Sequence, residues 1–568
     1  MSGRDRVRAP VSQGEAVHQR KWAALVAASI AFTAASLGQV ADAPAAAADG
    51  PGAGSPWIVS LGDSYISGEA GRWAGNTGGT DEYRIDALGG TAYFDNAANN
   101  GETVNRCHRS KSAEIHIGGG VGSHNLACSG ATTQTHWDDD RFKPGLDQYA
   151  DANGNWGQTG LLREFAKTHN VKMVVVSIGG NDFGFADIVQ NCVVDFLYSP
   201  SSSPDYCYDD NTTTSRINTS NAATVRTKIK EALQRVDVAM QQAGYSSSDW
   251  TLLLQNYPMP LERSTEARYG DSGYTAQSTG GCGFWRRDLD YANETMLPLI
   301  NSTVWGAADD SGLTNIKRLD VSHAMDNHKL CQRGVTLAED LGYSSPWANA
   351  DVPNGEEWVN QIHTVSTANT NFFIQESLHP NYWGQLALRN CVRQAWNGGN
   401  VQSGACQPSY AWGKNGYGEP NMTFSSTYAS GYQPPRRLFN IGGAPSKRCV
   451  DVPGNSGSSG TVLTLWDCHG GGNQNFTYDL STKAIKGFAT QNGLCWGLQN
   501  DATGWGTKVV MQSCNSGNPR QRWTLGANKQ IVNDATGLCV DANGGGTGNG
   551  TQLLIWGCGG QANQQWWY

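Results

Sequence analysis

The chain has 568 residues, 16% of them charged, and a formal net charge of −9. Its length leaves room for two or more domains, and an acidic, Gly-, Asn-, Ser- and Trp-rich composition is a poor footprint for nucleic acid or an anionic membrane. Fourteen cysteines without C-x-x-C pairs of the zinc type favour structural disulfides in an oxidising compartment over metal sites.

Residues 1–48 read as a secretory signal. Arg4, Arg6, Arg8, Arg20 and Lys21 precede an apolar stretch from Trp22 to Leu37, and Ala46-Ala47-Ala48 offers a small-residue cleavage site. The apolar stretch is too short and too rich in Ala, Ser and Thr for a lone transmembrane helix. Removing residues 1–48 would take away five positive and three negative charges, moving the net charge to about −11. The mature protein is therefore expected to be exported, with no stable membrane insertion.

Next comes Trp57-Ile58-Val59-Ser60-Leu61, an apolar strand that stops abruptly at Gly62-Asp63-Ser64. A serine there sits at the carboxyl edge of a sheet, where α/β proteins place ligands and nucleophiles; turn chemistry alone would also account for it. Residues 158–170 carry amphipathic helix spacing at Leu161, Leu162, Phe165 and Ala166, and Met173–Ile178 is a buried-strand run ending in Gly179-Gly180-Asn181-Asp182. A second helix spans 223–244, with Ile229, Leu233, Val236 and Met240 on one face, and a third is expected within 282–304. Strands alternating with helices argue for a parallel sheet covered on both sides, whose strand ends would bring Ser64 and Asn181 to one rim. Near the end of this region His379-Pro380 opens a helix, with Glu376 three residues earlier. A carboxylate at that offset can hold one imidazole nitrogen and turn the other toward a serine.

Two look-alikes are set aside. Gly270-Asp271-Ser272 follows a polar segment with no strand character, and Asp320-x-x-His323, with His328 nearby, lacks the following proline and helix. No G-x-S-x-G elbow surrounds Ser64, which argues against the α/β-hydrolase fold. Residues 411–435 lack apolar periodicity and are rich in Gly, Ser, Tyr and Pro, the composition of a linker between a domain at 49–410 and another at 436–568.

The last region is a threefold repeat. Cys449 and Cys468, Cys495 and Cys514, and Cys539 and Cys558 are each 19 apart, and each unit closes on Gln-x-aromatic at Phe476, Trp523 and Trp566. Short β-rich repeats of this length cannot bury a core singly, but three around an axis can. This pattern resembles the ricin B-type β-trefoil lectins. The resemblance implies sugar pockets in the first repeat (Asp451, Trp466, Asn473, Gln474) and the third (Asp541, Trp556, Asn563, Gln564). The middle repeat has Gly497, Gln512 and Arg520 at those places, which implies a lost pocket.

The segments Gly62-Asp63-Ser64, Asn125–Gly130, Gly180-Asn181-Asp182 and Glu376–His379, in that order, resemble the four blocks of the SGNH (GDSL) hydrolases over most of 55–400. The expected fold is α/β, a three-layer SGNH-type unit with a central parallel sheet, followed by an all-β trefoil. The resemblance implies Ser64 as nucleophile and His379 as base and then acid. It also implies an oxyanion hole from the N–H groups of Ser64 and Gly130 and the Asn181 amide, with Asp63 and Asp182 as structural anchors. The family usually has Asp where this chain has Glu376, so a Ser64-His379-Glu376 triad stands against a dyad whose histidine is held by main-chain carbonyls. The family pattern and proximity also imply bridges Cys107–Cys128, Cys192–Cys207, Cys282–Cys331 and Cys391–Cys406, added to the three of the repeats. The long stretches 70–106 and 243–370 are expected to build an acyl pocket. The expected protein is a secreted monomeric esterase or lipase that needs no cofactor and no metal, acts on a lipid or acylated glycan, and meets carbohydrate through its trefoil. The alternatives are an acetyl esterase acting on polysaccharide such as xylan, and a lectin with an inactive first domain.

Overall fold

The computed structural model describes residues 51–568 apart from 76–84, 139, 336–351, 364–374, 410–412, 426–438, 441–447, 468–471, 475, 480–481, 488–490, 492, 526–529 and 568. The expected signal at 1–48 lies outside the described residues. The N-terminal unit is built on a seven-stranded sheet. Its strands are β1 (Pro56–Gly62), β2 (Gly122–Asn125), β3 (Asn170–Ser177), β4 (Thr251–Gln255), β5 (Ile316–Asp320), β6 (Gly404–Pro408) and β7 (Met422–Ser425). They lie in the order β2-β1-β3-β4-β5-β6-β7. All pairs are parallel except β6–β7.

Successive strand residues point to opposite faces, so the unbroken burial of Met173–Val176 and Leu252–Leu254 means that both faces of the sheet are covered. Each such side chain stabilises the fold by about 1.5–3 kcal/mol relative to exposure. Helices that frame the sheet and its rim include α1 (Ser64–Ser67), α2 (Gln158–Ala166), α3 (Phe185–Tyr198), α4 (Thr219–Gln242), α5 (Leu297–Asp310) and α6 (Tyr382–Trp396). On α4 the expected face of Ile229, Leu233, Val236 and Met240 is buried. The expectation of a helix opening at His379-Pro380 is corrected by two residues: α6 begins at Tyr382 because the Asn381 side chain caps it, accepting from Trp383 N and Gly384 N.

The linker expected at 411–435 also needs correction. Met422–Ser425 is the antiparallel edge strand β7, with Met422 buried and Phe424 lying against Gly404. Just before it, Glu419 is buried in an ion pair with Arg393. The α/β unit thus runs on to at least residue 425, held by short apolar and charged contacts that a Gly- and Tyr-rich composition conceals. Residues 426–438 lie outside the described residues.

The C-terminal region is all β. Its three four-stranded sheets follow β8 (Phe439–Asn440), β9 (Arg448–Asp451), β10 (Thr464–Asp467), β11 (Phe476–Asp479), β12 (Ala484–Gly487) and β13 (Leu494–Leu498). They continue through β14 (Val509–Ser513), β15 (Trp523–Leu525), β16 (Ile531–Asn533), β17 (Cys539–Ala542), β18 (Leu553–Trp556) and β19 (Trp566–Trp567). Strand β19 pairs with β8 and closes the ring of repeats. Phe476, Trp523 and Trp566 meet in one core with Trp496. Disulfides join Cys107 to Cys128, Cys192 to Cys207, Cys282 to Cys331, Cys391 to Cys406, Cys495 to Cys514 and Cys539 to Cys558. Cys449 is also bridged; its expected partner Cys468 lies outside the described residues. Among the described residues no helix is long and apolar enough to cross a membrane.

Candidate active site

Strand β1 ends at Gly62, whose φ of 144° and closeness to β3 exclude a side chain: a Cβ there would lie 2.0 Å from the Ser177 carbonyl oxygen. The chain turns through Asp63, which caps α1 by accepting from Tyr65 N, and delivers Ser64 as the first helical residue. The Ser64 Oγ lies 2.7 Å from His379 Nε2. The other ring nitrogen, Nδ1, is 2.9 Å from the Ser377 carbonyl oxygen. A carbonyl can only accept, so Nδ1 carries the proton and Nε2 is left to accept from the serine. Burial pulls the His379 pKa below its ordinary value, against the opposing charge of Glu69. A neutral imidazole facing a hydroxyl is the protonation state that a general base needs.

The expected carboxylate of a triad is not beside this histidine, and the Glu376 assignment is corrected. Its side chain is fully buried elsewhere, where Oε2 accepts from Trp73 Nε1 at 2.8 Å and Oε1 from Tyr93 OH at 2.5 Å. The extra methylene of glutamate carries the carboxyl to the 70–93 segment, and the main-chain carbonyl of Ser377 takes its place at the imidazole. Burial, then repulsion from Glu69, raises the Glu376 carboxyl to about 7. Glu376 therefore ties the histidine loop to another loop. Leu378, between the two, has a φ of 61°. Its strained conformation is held by Tyr65 OH donating to its carbonyl and by its own N–H donating to Asn360.

The remaining expected groups converge from neighbouring strand ends. Asn181 follows β3 and shares a cavity with Ser64; its amide nitrogen donates to the Ala131 carbonyl at 2.9 Å. Gly130, with φ 82°, stands in the loop after β2 and does not line that cavity. Its loop is fixed beside Ser64 by Cys128 N donating to the Gly62 carbonyl and by the Cys107–Cys128 bridge. Asp182 accepts from the N–H and hydroxyl of Thr133, tying the two loops together. Asp63 accepts from Tyr257 OH, and Tyr257 OH in turn accepts from Gly180 N at 2.9 Å. Burial raises the Asp63 carboxyl to about 7.

Tyr257 carries no motif and escapes sequence reasoning, although its place two residues past β4, on the same rim, was a usable signal. Glu69 was likewise overlooked, five residues after Ser64. It is fully buried, 2.6 Å from His108 Nδ1, and accepts from Gln375 Nε2 at 2.9 Å. Burial opposes its charge, but His108 and, further off, His379 outweigh that and hold its carboxyl below the usual range. The site thus has a buried negative charge near the histidine that does not touch it.

The cavity beside Ser64 is mostly apolar, walled by Phe185, Ile188, Met259, Phe284, Tyr291 and Leu297. The 243–370 stretch supplies much of this wall, as expected. The described residues of the 70–106 stretch supply none of it, and Trp73 and Tyr93 instead anchor Glu376, while the contribution of α3 was not foreseen. The look-alikes lie apart: Asp271 pairs with Arg286, His323 is exposed and pairs with Asp326, and His328 stacks on Trp358 in the core. Among the described residues no cluster of His, Cys, Asp or Glu could hold a metal.

In the trefoil, Asp451 Oδ2 accepts from Asn473 Nδ2 at 2.8 Å and Gln474 Nε2 at 2.9 Å, near the strand that exposes Trp466. The third repeat repeats this with Asp541, Asn563 and Gln564, both bonds at 2.8 Å, and an exposed Trp556. In the middle repeat the Gln512 side chain fills the space where a side chain on Gly497 would stand.

A serine hydrogen-bonded to a neutral histidine at the carboxyl rim of a parallel sheet, open to an apolar cavity, defines an α/β unit equipped for nucleophilic chemistry. The second unit is identified by its pattern: residues 437–566 match the ricin-type beta-trefoil lectin domain and belong to that domain family. Over 79 residues, 14% of the chain, the sequence is 37% identical to N-acetylgalactosaminyltransferase 4 of Drosophila melanogaster, covering 12% of that protein. Over 147 residues, 25% of the chain, it is 29% identical to serine protease 1 of Rarobacter faecitabidus, covering 23% of it. The chain thus spans less than a quarter of the length of these curated relatives. Among solved structures, an extracellular lipase from Streptomyces rimosus is similar over 60% of this chain and 99% of its own, at 18% identity and a TM-score of 0.32.

Proposed function

We propose that the protein is a secreted serine esterase that cleaves carboxylic esters through an acyl-enzyme and is held on carbohydrate by its lectin domain. The observation that carries this reading is the 2.7 Å contact between Ser64 Oγ and an Nε2 whose tautomer is fixed from behind by Ser377. His379 takes the Ser64 proton as Oγ attacks the ester carbonyl, then gives it to the leaving alkoxide as the C–O bond breaks. Water, deprotonated by the same nitrogen, releases the acid and restores Ser64. The N–H groups of Ser64 and Gly130 and the Asn181 amide hold the oxyanion, donors of a kind typically worth about 2.7–4 kcal/mol each. Buried Glu69 favours the transient imidazolium from a distance.

The apolar walls of the cavity favour an acyl chain of several carbons, the lipase or phospholipase class. An acetyl group would leave most of that surface without a partner. The two intact sugar pockets favour a second reading, an acetyl esterase working on acetylated polysaccharide. The Ser64–His379 hydrogen bond speaks against a lectin with an inactive first domain. A series of nitrophenyl esters from acetyl to long-chain, with acetylated xylan alongside, tests the choice: kcat/KM should rise beyond acetyl. A preference for acetyl and for xylan would support the second reading. Ser64→Ala should lower kcat by on the order of 10⁶ in either case.

A further inference from the structure

The loop between the first two strands of each pocket does not stay within its own repeat. Gly460 N of the first repeat donates to the Met511 carbonyl of the second, Gly506 N of the second to Ile555 of the third, and Gly550 N of the third to Leu465 of the first. The residue just before each of these glycines is therefore delivered to the neighbouring repeat, on the strand that carries Trp466 in the first, Gln512 in the second and Trp556 in the third. Those residues are Ser459, Trp505 and Asn549, and they make the three places chemically unlike.

Beside Trp556, Trp505 brings a second indole, with ring centroids 5.1 Å apart and planes inclined at 51°. Trp505 is 64% exposed and Trp556 44%. The Trp505 ring rests on Gly557, where a Cβ would come within 3.1 Å of it. Its loop is stapled by Ile555 N donating to the Thr507 carbonyl and by the Thr507 hydroxyl donating to Gly504. Two adjoining exposed indoles, Trp505 on a tied loop and Trp556 at the end of β18, form an apolar patch that burial in the core does not account for. Beside Trp466 the corresponding Asn549 instead bonds Asp467 at 2.7 Å and Arg448 at 2.6 Å, a polar and charged surround. The middle repeat has Ser459 and no aromatic partner.

We infer that the third-repeat site is composite, with Trp505 forming a second aromatic subsite beside Trp556, so that it takes two or more consecutive units of a neutral pyranose chain. The Asp541 cluster grips the hydroxyls of one unit, and the two inclined indoles cover the C–H faces of that unit and the next. An inclined pair suits a chain whose successive rings twist, whereas among the described residues the first-repeat site offers one aromatic face, that of Trp466, and takes a single unit. This rests on the reading of the trefoil as sugar-binding.

The test uses the full chain with Trp466→Ala in every sample, so that the third site is measured alone. Affinity electrophoresis in soluble arabinoxylan and in galactan is combined with calorimetry using galactose, xylotetraose and galactotetraose. Trp505→Ala should weaken binding to whichever polymer and tetrasaccharide the parent holds by about fivefold or more. It should leave the single sugar within twofold, and Trp505→Phe should keep most of the chain affinity. Because Trp505 is exposed, its loss should not disturb the fold, which circular dichroism checks. Unchanged polymer and tetrasaccharide binding in Trp505→Ala, with Trp556→Ala impaired, would overturn the subsite while the sugar reading stands. An equal loss for galactose would also overturn it, by placing Trp505 in the primary pocket. If the parent binds none of these probes, and the chain with Trp466 restored binds none either, the sugar reading fails and the subsite with it.

Discussion

Glu376→Gln separates a dyad from a triad. If a carboxylate oriented His379, the amide would present the wrong group to the imidazole and kcat would fall by up to about 10⁴. The structure gives the carboxyl a different task, accepting from Trp73 and Tyr93. A glutamine can meet both partners: its oxygen accepts from the indole N–H, which can only donate, and its NH₂ donates to the tyrosine oxygen, which can do either. A protonated Glu376, favoured by a carboxyl raised to about 7, makes the same pattern. The expected result is kcat within about threefold of the parent and stability within about 1 kcal/mol. Glu376→Ala instead removes the buried carboxyl that both Trp73 Nε1 and Tyr93 OH donate to, at a cost of about 1–3 kcal/mol or more. That loss should be read by urea unfolding, with turnover falling through displacement of the histidine loop. The assay is hydrolysis of a soluble nitrophenyl ester beside the unfolding curve. A Glu376→Gln enzyme of native stability but a hundredfold slower would refute the reasoning.

Four further outcomes are expected. Because burial lowers the His379 pKa, kcat/KM should fall on the acid side with a half-point below pH 6.5. Glu69→Gln, by removing the charge that favours imidazolium, should move that half-point lower still; a pH–rate profile with no shift would contradict the role given to Glu69. Burial raises the carboxyls of Asp63 and Glu376 to about 7 and those of Glu114 and Glu262 to about 8. Above their unfolded values, near 4, the folded chain thus binds more protons than the unfolded one up to those pH values. Below about pH 6.5 the buried histidines His116, His124, His328 and His363, held at about 4, bind protons only on unfolding and oppose this. Tm should therefore fall as pH rises from about 7 to 8, and calorimetry showing a rise across that window would contradict these burial effects. Peptide mapping without reduction should link Cys449 to Cys468 and find no free thiol; a crossed pairing between repeats would mean that their alignment is wrong.

Much of this was legible because the signals were local. The Val-rich run at 171–178 and the period of 223–244 give β3 and α4 directly, and the regular cysteine spacing gives the trefoil. Ser64 and Asn181 each follow the end of such a strand, so the order of elements predicts their meeting at one rim, whereas His379 was joined to them through the family resemblance. What escaped depends on where side chains reach across the fold. Glu376 has the right offset, yet its length carries it to Trp73 and Tyr93, nearly three hundred residues away in the chain. Tyr257 and Glu69 act through long-range hydrogen bonds with no spacing to betray them. Strand β7 hid in a segment of linker-like composition, because pairing with β6 rather than its own apolar pattern makes it a strand. Trp505 could not be placed by alignment of repeats, since it serves the repeat after its own.

The central claim is that Ser64 is the nucleophile, activated by His379 alone. The direct measurement is intact-mass and peptide mass spectrometry after incubation with a fluorophosphonate that phosphonylates activated serines. One adduct per chain is expected, on Ser64, forming at a rate that follows the pH profile of ester hydrolysis and abolished in His379→Ala. An adduct on another serine, or full ester hydrolysis by Ser64→Ala, would contradict it.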